Sequence, residues 1–423
     1  LAGILIKKNK ETDAIYYATE ALSLNPKNPG TYNALGVCLM EINRFNDALI
    51  CFDTAINLDN TNYYALINKA NLLDRMEKYD QSINVYEKCL SISKSKEQDT
   101  EIKYKMSLPL LATGNLSEGW TCFEYGLKYA DTSSRNPKRI FNVPQWTGEE
   151  LNNKTIMIWR EQGLGDEIDH FALLPQLIEI ADKVIIESDT RLVSILQRSF
   201  PNCIVRPQTY EPITKVATTT DFDYHLPSGS LALHFLSKET DFRKIKPYLR
   251  PNPILVEDFK NRLAKIGDHQ YIGMCWRSGF NSTSRNMFYT PISQWESILK
   301  NKNLKFVNLQ YGDCNVELEN VRDIFGVEII NFEDVDLKND LESVCALIAA
   351  LDCVVSAGTA VACLSSAVGT KTKIYVSRNW ALLGQNFRPW SPNSDLYLTD
   401  FEHNFDYSHV LTQIATDLQI EYT

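Results

Sequence analysis

Two kinds of hydrophobic spacing divide the chain. Up to about residue 130, apolar and small residues recur at helical intervals and then repeat. Tyr32, Leu35, Gly36, Leu39, Phe45, Ala48, Phe52 and Ala55 are each followed 34 residues later by Leu66, Lys69, Ala70, Leu73, Tyr79, Ser82, Tyr86 and Cys89. Small residues fall where paired helices must approach closely, and large ones fill the gaps between pairs. A half-repeat supplies Ala14, Ala18, Ala21 and Pro26 beforehand. A degenerate fourth repeat supplies Gly119, Phe123 and Gly126, after a slip near Lys94. From Thr155 the pattern changes to short apolar runs alternating with helical stretches, as a parallel sheet requires.

Strands are predicted near 155–159, 183–187, 203–206 and 222–226, with a helix near 190–199 and a kink at Pro175. A proline-containing stretch, 246–255, then interrupts the alternation. A second set of strands is predicted near 271–276, 304–309, 327–330, 352–356 and 372–376, with helices near 291–300, 340–351 and 359–368. The resulting domains are 1–130, a polar linker at 131–154 (Ser133, Ser134, Pro137, Pro144, Gly148), and two α/β halves at 155–250 and 251–423. Two such halves imply a cleft at their interface.

The 34-residue period resembles the tetratricopeptide repeat (TPR). Solenoids of this kind present a concave face to a protein or peptide, and Asn33, Asn68 and Asn71 are the inward amides expected to meet an extended backbone. Because Leu1 falls inside a partial repeat, more repeats are expected before it.

Composition narrows the classes. Lys and Arg total 43 against 53 Asp and Glu, giving a net charge of −10, which disfavours nucleic acid as a partner. The local basic cluster Arg135, Lys138 and Arg139 reads as a solvated linker face. The 10 cysteines form no C-x-x-C pair and mostly lie in apolar runs. They read as core residues of a reducing compartment, hence the cytoplasm. No apolar run approaches the roughly 18 residues needed to cross a bilayer. The 6 histidines show no metal-ligand spacing, so no metal is expected.

The stretch Thr155–Leu177 concentrates the candidate chemistry. An apolar run enters a turn at Gly163, Leu164 and Gly165, and Asp166 and Glu167 open a helix carrying Ile168, Phe171, Ala172 and Leu174. Ile168 stands where a dinucleotide fingerprint needs a small residue, and no Lys-Ser/Thr follows as in a P-loop. Asp166 is then either a helix N-cap or a carboxylate presented at the carboxyl end of a strand, where α/β sheets bind ligands. In the second half, Arg277, Ser278 and Gly279 follow a strand, with Arg285 and Asn286 beyond, and guanidinium forks suit a phosphate or carboxylate. Gly358, Thr359 and Ala360 join another strand to a small-residue helix whose first amides suit an anion. Gln310 and Asp313 end a third strand at the same edge, where Asp313 could accept from a ribose or base.

These segments together, EQGLGDEI, CWRSG, NLQYGD, ALIAALDCVVSAGTAVACLSSAVG and RPWSP behind the repeats, resemble the bacterial repeat-containing GT-B glycosyltransferases related to heptosyltransferases. The likeness is greatest to the branch implicated in glycosylating flagellin. It implies a two-lobed GT-B fold, with the acceptor near the first lobe and the nucleotide-sugar on the second. Asp166 matches the proposed catalytic base. Arg277, Ser278 and Arg285 match the phosphate-binding loop, and Gly358, Thr359 and Ala360 the anion site. Gly358 and Cys363 stand where the heptosyltransferase pattern has Asp and His, which argues against an ADP-heptose donor. The flagellin-modifying branch is associated with nonulosonic acids such as pseudaminic acid, carried as CMP-sugars, whose carboxylate and single phosphate would suit Arg277 and Arg285.

The expectation is therefore an inverting, metal-independent transfer to Ser or Thr of a protein held by the solenoid, flagellin being the expected acceptor. Asp166 is the first candidate base, Glu167 the second and His225 the third. Competing readings are an ADP-heptose-type transferase acting on lipopolysaccharide or another glycan, and a non-catalytic scaffold.

Overall fold

The computed structural model describes residues 11–129, 135–211, 213–279, 287–391, 393–402 and 405–422. It begins with a lone helix, α1 (Glu11–Leu24), and three helical hairpins: α2 (Pro29–Glu41) with α3 (Phe45–Leu58), α4 (Tyr63–Arg75) with α5 (Tyr79–Ile92), and α6 (Lys96–Ala112) with α7 (Leu116–Phe123). The small repeat positions do what the period requires. A Cβ on Gly36 would sit 2.5 Å from the Phe52 ring, and one on Gly119 2.7 Å from Leu111. Asn28 and Asn62 cap α2 and α4 by accepting first-turn amides. The inward asparagines are not all free for a peptide. Asn68 donates to Asn33 at 2.9 Å, and Asn71 accepts from Tyr86 OH inside its own hairpin at 2.6 Å.

Two parallel sheets follow. The first has the order β3-β2-β1-β4, built from β1 (Thr155–Trp159), β2 (Lys183–Ser188), β3 (Ile204–Pro207) and β4 (Tyr224–Pro227). The second has the order β6-β5-β7-β8-β9, built from β5 (Gln270–Cys275), β6 (Leu304–Asn308), β7 (Cys353–Ala357), β8 (Thr372–Ser377) and β9 (Ser394–Thr399). Helices cover both faces, so central strands such as Cys353–Ala357 are buried at every position. This is the two-lobed GT-B arrangement expected above. The helix after β1 breaks near Pro175, giving α8 (Leu164–Phe171) and α9 (Leu174–Ile178), and α10 (Val193–Ser199), α11 (Leu231–Phe235), α12 (Pro253–Ile266), α13 (Glu296–Leu299), α14 (Asn315–Phe325) and α15 (Leu341–Ala350) follow.

Several expectations change. The stretch 327–330 makes a single bridge, Ile330 to Val307, instead of a strand. The segment 291–300 is a 3₁₀ turn plus a four-residue helix, Glu296–Leu299. The proline stretch 246–255 ends in a helix, Pro253–Ile266, because Pro253 occupies the first turn, where its missing N–H costs nothing. Strand β9 and the helices Asn315–Phe325 and Ser408–Tyr422 were not anticipated.

The largest correction concerns the connection after the solenoid. Arg135 and Arg139 are not solvated: the Arg135 and Arg139 side chains are both 0% exposed and ion-paired, to Glu124 and Glu161 and to Glu187 respectively. Ile140 and Gln145 bridge to Val216 and His225, so the segment runs along the first lobe. Ser133 and Ser134 lie outside the described residues. All ten cysteines are buried and free, as core residues should be.

The solenoid is packed onto both lobes. Phe45, Phe52, Leu72 and Met76 share one core with second-lobe residues such as Tyr375, Tyr397 and Phe405. Leu111, Trp120 and Phe123 share another with the first lobe. Trp120 touches Trp380 and Trp390 with ring centroids 6.5 and 6.2 Å away, and its indole N–H donates to Leu236 O at 2.9 Å.

Where the second hairpin's turn meets the loops after β8 and β9, a cavity of about 330 Å³ is lined by Glu77, Tyr79, Arg378 and Asp400 among others. Burial pushes the Glu77 carboxyl up to about 7, opposed by backbone amides of Phe401 and Arg378, while Asp400 adds repulsion. A folded-state value above the unfolded one means the folded chain holds a proton the unfolded chain has released. Stability from this group is therefore full at low pH and lost as pH rises toward about 7. Glu77→Gln should raise the melting temperature at pH 8, leave it nearly unchanged at pH 4, and flatten the slope between; calorimetry across that range checks this.

Candidate active site

The turn after β1 meets the second lobe directly. Gly163 is the N-cap of α8, and Asp166 at the third helical position accepts the Gly163 N–H at 3.0 Å. A Cβ on Gly165 would lie 3.3 Å from Cys363 Sγ and 3.6 Å from Ala360 Cα. Both contacts are at the start of α16 (Ala360–Val368), the small-residue helix after β7. Gly165 is glycine because the two lobes touch there. Asp166 remains half-buried beside exposed Gly163, and across the seam Gly358 is exposed and Ala360 half-buried. The first turn of one lobe's helix thus lies against the first turn of the other's.

Thr359, the N-cap of α16, is 7% exposed, and its side chain caps nothing. Its hydroxyl turns inward to Ser356 Oγ at 3.2 Å and Cys275 Sγ at 3.6 Å. Gly358 packs on Val376, the reason a side chain is not accommodated there without movement.

Two candidate bases are displaced by their surroundings. Glu167 is 0% exposed and accepts from Arg160, from the Ser188 hydroxyl at 2.6 Å and from the Asp189 amide at 3.0 Å. Burial pushes its carboxyl up and these partners pull it back; it is an internal strut between α8 and the end of β2. His225 stacks on Phe141 at 3.8 Å and accepts from the Trp159 indole at 3.2 Å. It is in register with Met157, whose face of β1 packs with Trp159 and Phe222, whereas Ile156 and Ile158 face α8. The sheet therefore separates His225 from Asp166. Burial, aided by Arg139, lowers its pKa to about 4.

The loop after β5 is self-contained. Gln310, 1% exposed, accepts the amides of Trp276 and Arg277 at 3.1 and 2.9 Å and donates to the carbonyls of Arg277 and Tyr311, both at 3.0 Å. Its amide is used up in bracing the loop, so it is not the ligand group expected. Arg277 forks onto Glu317 and donates to Asp313 O at 2.9 Å. Ser278 lies under Tyr311 OH, and Asp313 is exposed, accepting the Asn315 amide at 3.2 Å. Arg285 lies outside the described residues.

Sequence reasoning overlooked the charge pair nearest Asp166. Asp169, on the next turn of α8, is ion-paired across the seam with Arg388. Arg388 also donates to Ser391 Oγ at 2.9 Å and reaches Cys363 Sγ at 3.3 Å. The i,i+3 spacing of Asp166 and Asp169 puts both acids on one side of the helix, a signal available beforehand. Burial pushes Asp169 up to about 6, Arg388 opposes this, and Asp166 reinforces it. Among the described residues no group of three or more His, Cys, Asp and Glu is placed to hold a metal. What the arrangement can do is hold an accessible carboxylate beside amides and one cation from the opposite lobe.

Arg388→Ala should move the Asp169 titration midpoint upward from about 6, because the removed guanidinium favours the charged carboxylate. It should also destabilise the fold above that midpoint by about 3 kcal/mol or more, the usual cost of orphaning a buried charge. Carboxyl NMR and denaturation at pH 5 and pH 8 test both effects.

Comparison with known proteins gives three findings. Residues 5–72 and 63–96 each match the tetratricopeptide repeat family. The chain is 30% identical over 414 residues to Protein FlbA of Caulobacter vibrioides, covering 95% of this chain and 69% of that protein. Among solved structures, the glycosyl transferase family 9 protein from Veillonella parvula is similar with a TM-score of 0.46 and 12% identity, covering 65% of this chain and 100% of that one. The crystal structure of MamA is similar over 30% of this chain and 73% of its own, with 23% identity and a TM-score of 0.27.

Proposed function

We propose, from the premise that the chain belongs to the family of Protein FlbA, that it is a glycosyltransferase moving a sugar from a nucleotide-sugar onto Ser or Thr of a protein held by the repeats. The observation that carries this reading is the seam itself, where the Gly165–Asp166 turn of one lobe abuts the start of α16 in the other. On this reading a base on one helix and an anion-stabilising end on the other flank a single bond.

In the proposed reaction the donor's phosphate lies toward α16 and Arg388, and Asp166 takes the acceptor hydroxyl proton as oxygen attacks the anomeric carbon. The attack proceeds from the face opposite the leaving phosphate, hence with inversion, and the proposed reaction uses no metal. Proton transfer by a placed carboxylate supplies ~10²–10⁴-fold. Orientation between the lobes and stabilisation of the leaving phosphate supply the remainder.

The specific form we propose is a CMP-linked nonulosonic acid such as pseudaminic acid, transferred to flagellin in the cytoplasm. A CMP-linked nonulosonic acid spreads its two negative charges over one phosphate and one carboxylate, where an ADP- or UDP-sugar carries the same two on a single diphosphate. The ten buried thiols suit a reducing compartment.

Incubating the chain with CMP-pseudaminic acid and flagellin should add the mass of one or more sugars by intact-mass analysis. Asp166→Asn should reduce turnover by roughly 10²-fold or more without loss of CMP-induced thermal stabilisation. Stabilisation by ADP but not CMP would replace the donor assignment. An Asp166→Asn enzyme with full turnover would overturn the assignment of the base.

A further inference from the structure

We infer that the solenoid sets the geometry of the candidate catalytic turn, with Arg135 acting as a positioning residue between them. Its kinetic consequences rest on the transferase reading above; its structural consequences do not. Arg135 enters from the connecting segment and is 0% exposed. Its Nε donates to Glu161 Oε2 at 2.7 Å and its Nη2 to Glu161 Oε1, so the fork is filled by one carboxylate. Nη1 donates at 2.6 Å to Glu124, in the 3₁₀ turn (Glu124–Leu127) that ends the solenoid, and Nη2 also donates to Ser230 Oγ at 2.9 Å. The guanidinium lies 4.6 Å from the centre of the Phe123 ring, itself part of the last repeat helix.

Glu161 belongs to the same turn after β1, two residues before Gly163. Its Oε1 also accepts the Gly229 amide at 2.8 Å, and a Cβ on Gly229 would come within 2.7 Å of that oxygen. Only a glycine lets the backbone approach this ion cluster. The next residue along each strand of the contact is paired as well, since Asn136 O accepts the Gln162 amide. Gln162 has φ +60°, a conformation few non-glycine residues adopt unless surrounding contacts impose it. Two consecutive residues of the connecting segment thus hold two consecutive residues of the turn, and the following amide, that of Gly163, is the one Asp166 accepts.

From Glu124 on the solenoid to Asp166 at the crevice, every step is a hydrogen bond or a single peptide unit. The cluster sets two carboxylates on one guanidinium, and with Arg135 and Glu161 both fully buried neither of that pair can leave without stranding the other. Glu124 is the one partner with partial exposure, 22% for its side chain. A polypeptide that shifts the last repeat therefore pulls on the turn through this contact.

The test uses the full chain carrying Glu124→Gln, which keeps shape and removes one charge at the solenoid end. Amide hydrogen exchange at residues 161–167 should rise by about tenfold relative to wild type, with the sheet strands unchanged. Turnover should fall by roughly tenfold with donor KM unchanged, the signature of a misplaced base. Arg135→Lys, which keeps the charge but not the fork, should give the same pattern more strongly. If Arg135→Lys fails to fold, Glu124→Gln still decides. Exchange at 161–167 and turnover both equal to wild type in Glu124→Gln would overturn the inference. Absence of transfer by wild type would defeat the transferase reading alone, because the exchange measurement stands without it.

Discussion

Burial of Trp120 is the constraint on which the rest of the arrangement depends. An indole offers more apolar surface than any other side chain but also a donor that must be met. Here the ring is covered by Trp380 and Trp390 of the second lobe and the N–H is met by Leu236 O of the first. One side chain from the last repeat therefore fixes its position against both lobes at once. Close backbone contact of Gly384 with Gly114 extends the same junction. A repeat domain attached this way is a third wall of the two-lobed half rather than an appendage on a tether.

With the lobes held, the acids at the start of α8 are sorted by helical angle. Asp166, Glu167 and Asp169 are close in sequence, and a helix N-terminus favours negative charge there. Asp166 and Glu167 point about 100° apart, whereas Asp169 lies about 60° from Asp166, one turn further along the same side. Glu167 turns inward to Arg160 and Ser188, Asp169 crosses to Arg388, and Asp166 stays at the mouth, accepting the Gly163 amide. The chemistry available to each follows from that direction, not from its intrinsic acidity. Had all three faced the crevice, their mutual repulsion would have driven protons onto some of them.

Local spacing was legible in the sequence; long-range pairing was not. The 34-residue period, the strand–turn–helix at Thr155, the kink at Pro175 and the buried cysteines all depend on neighbours along the chain. The helix Asn315–Phe325 was hidden because Val321 alone is fully buried on it, leaving too thin an apolar stripe to read. The run at 327–330 looked like a strand because it is apolar, yet only Ile330 reaches β6. Arg135 and Arg139 looked solvated because their carboxylate partners stand far away in sequence, except Glu124. The same holds for Arg388 and Asp169. Within the candidate site, residue types indicated where charge would gather, while which charges would cancel required the tertiary contacts. Gln310 illustrates the difference, since an amide at a strand end serves a ligand or its own loop equally well until its hydrogen bonds are traced.

The shared core also bears on how such a chain is made. A ribosome completes the last repeat helix, with its indole exposed, long before it reaches Trp380 and Trp390. Until then the solenoid's inner edge, from Phe45 to Phe123, lacks the surface that covers it in the finished protein. Contacts between such distant positions form late, and the uncovered edge is open to self-association meanwhile. Synthesis from the N-terminus thus creates a waiting period in which a holdase chaperone would have an obvious client.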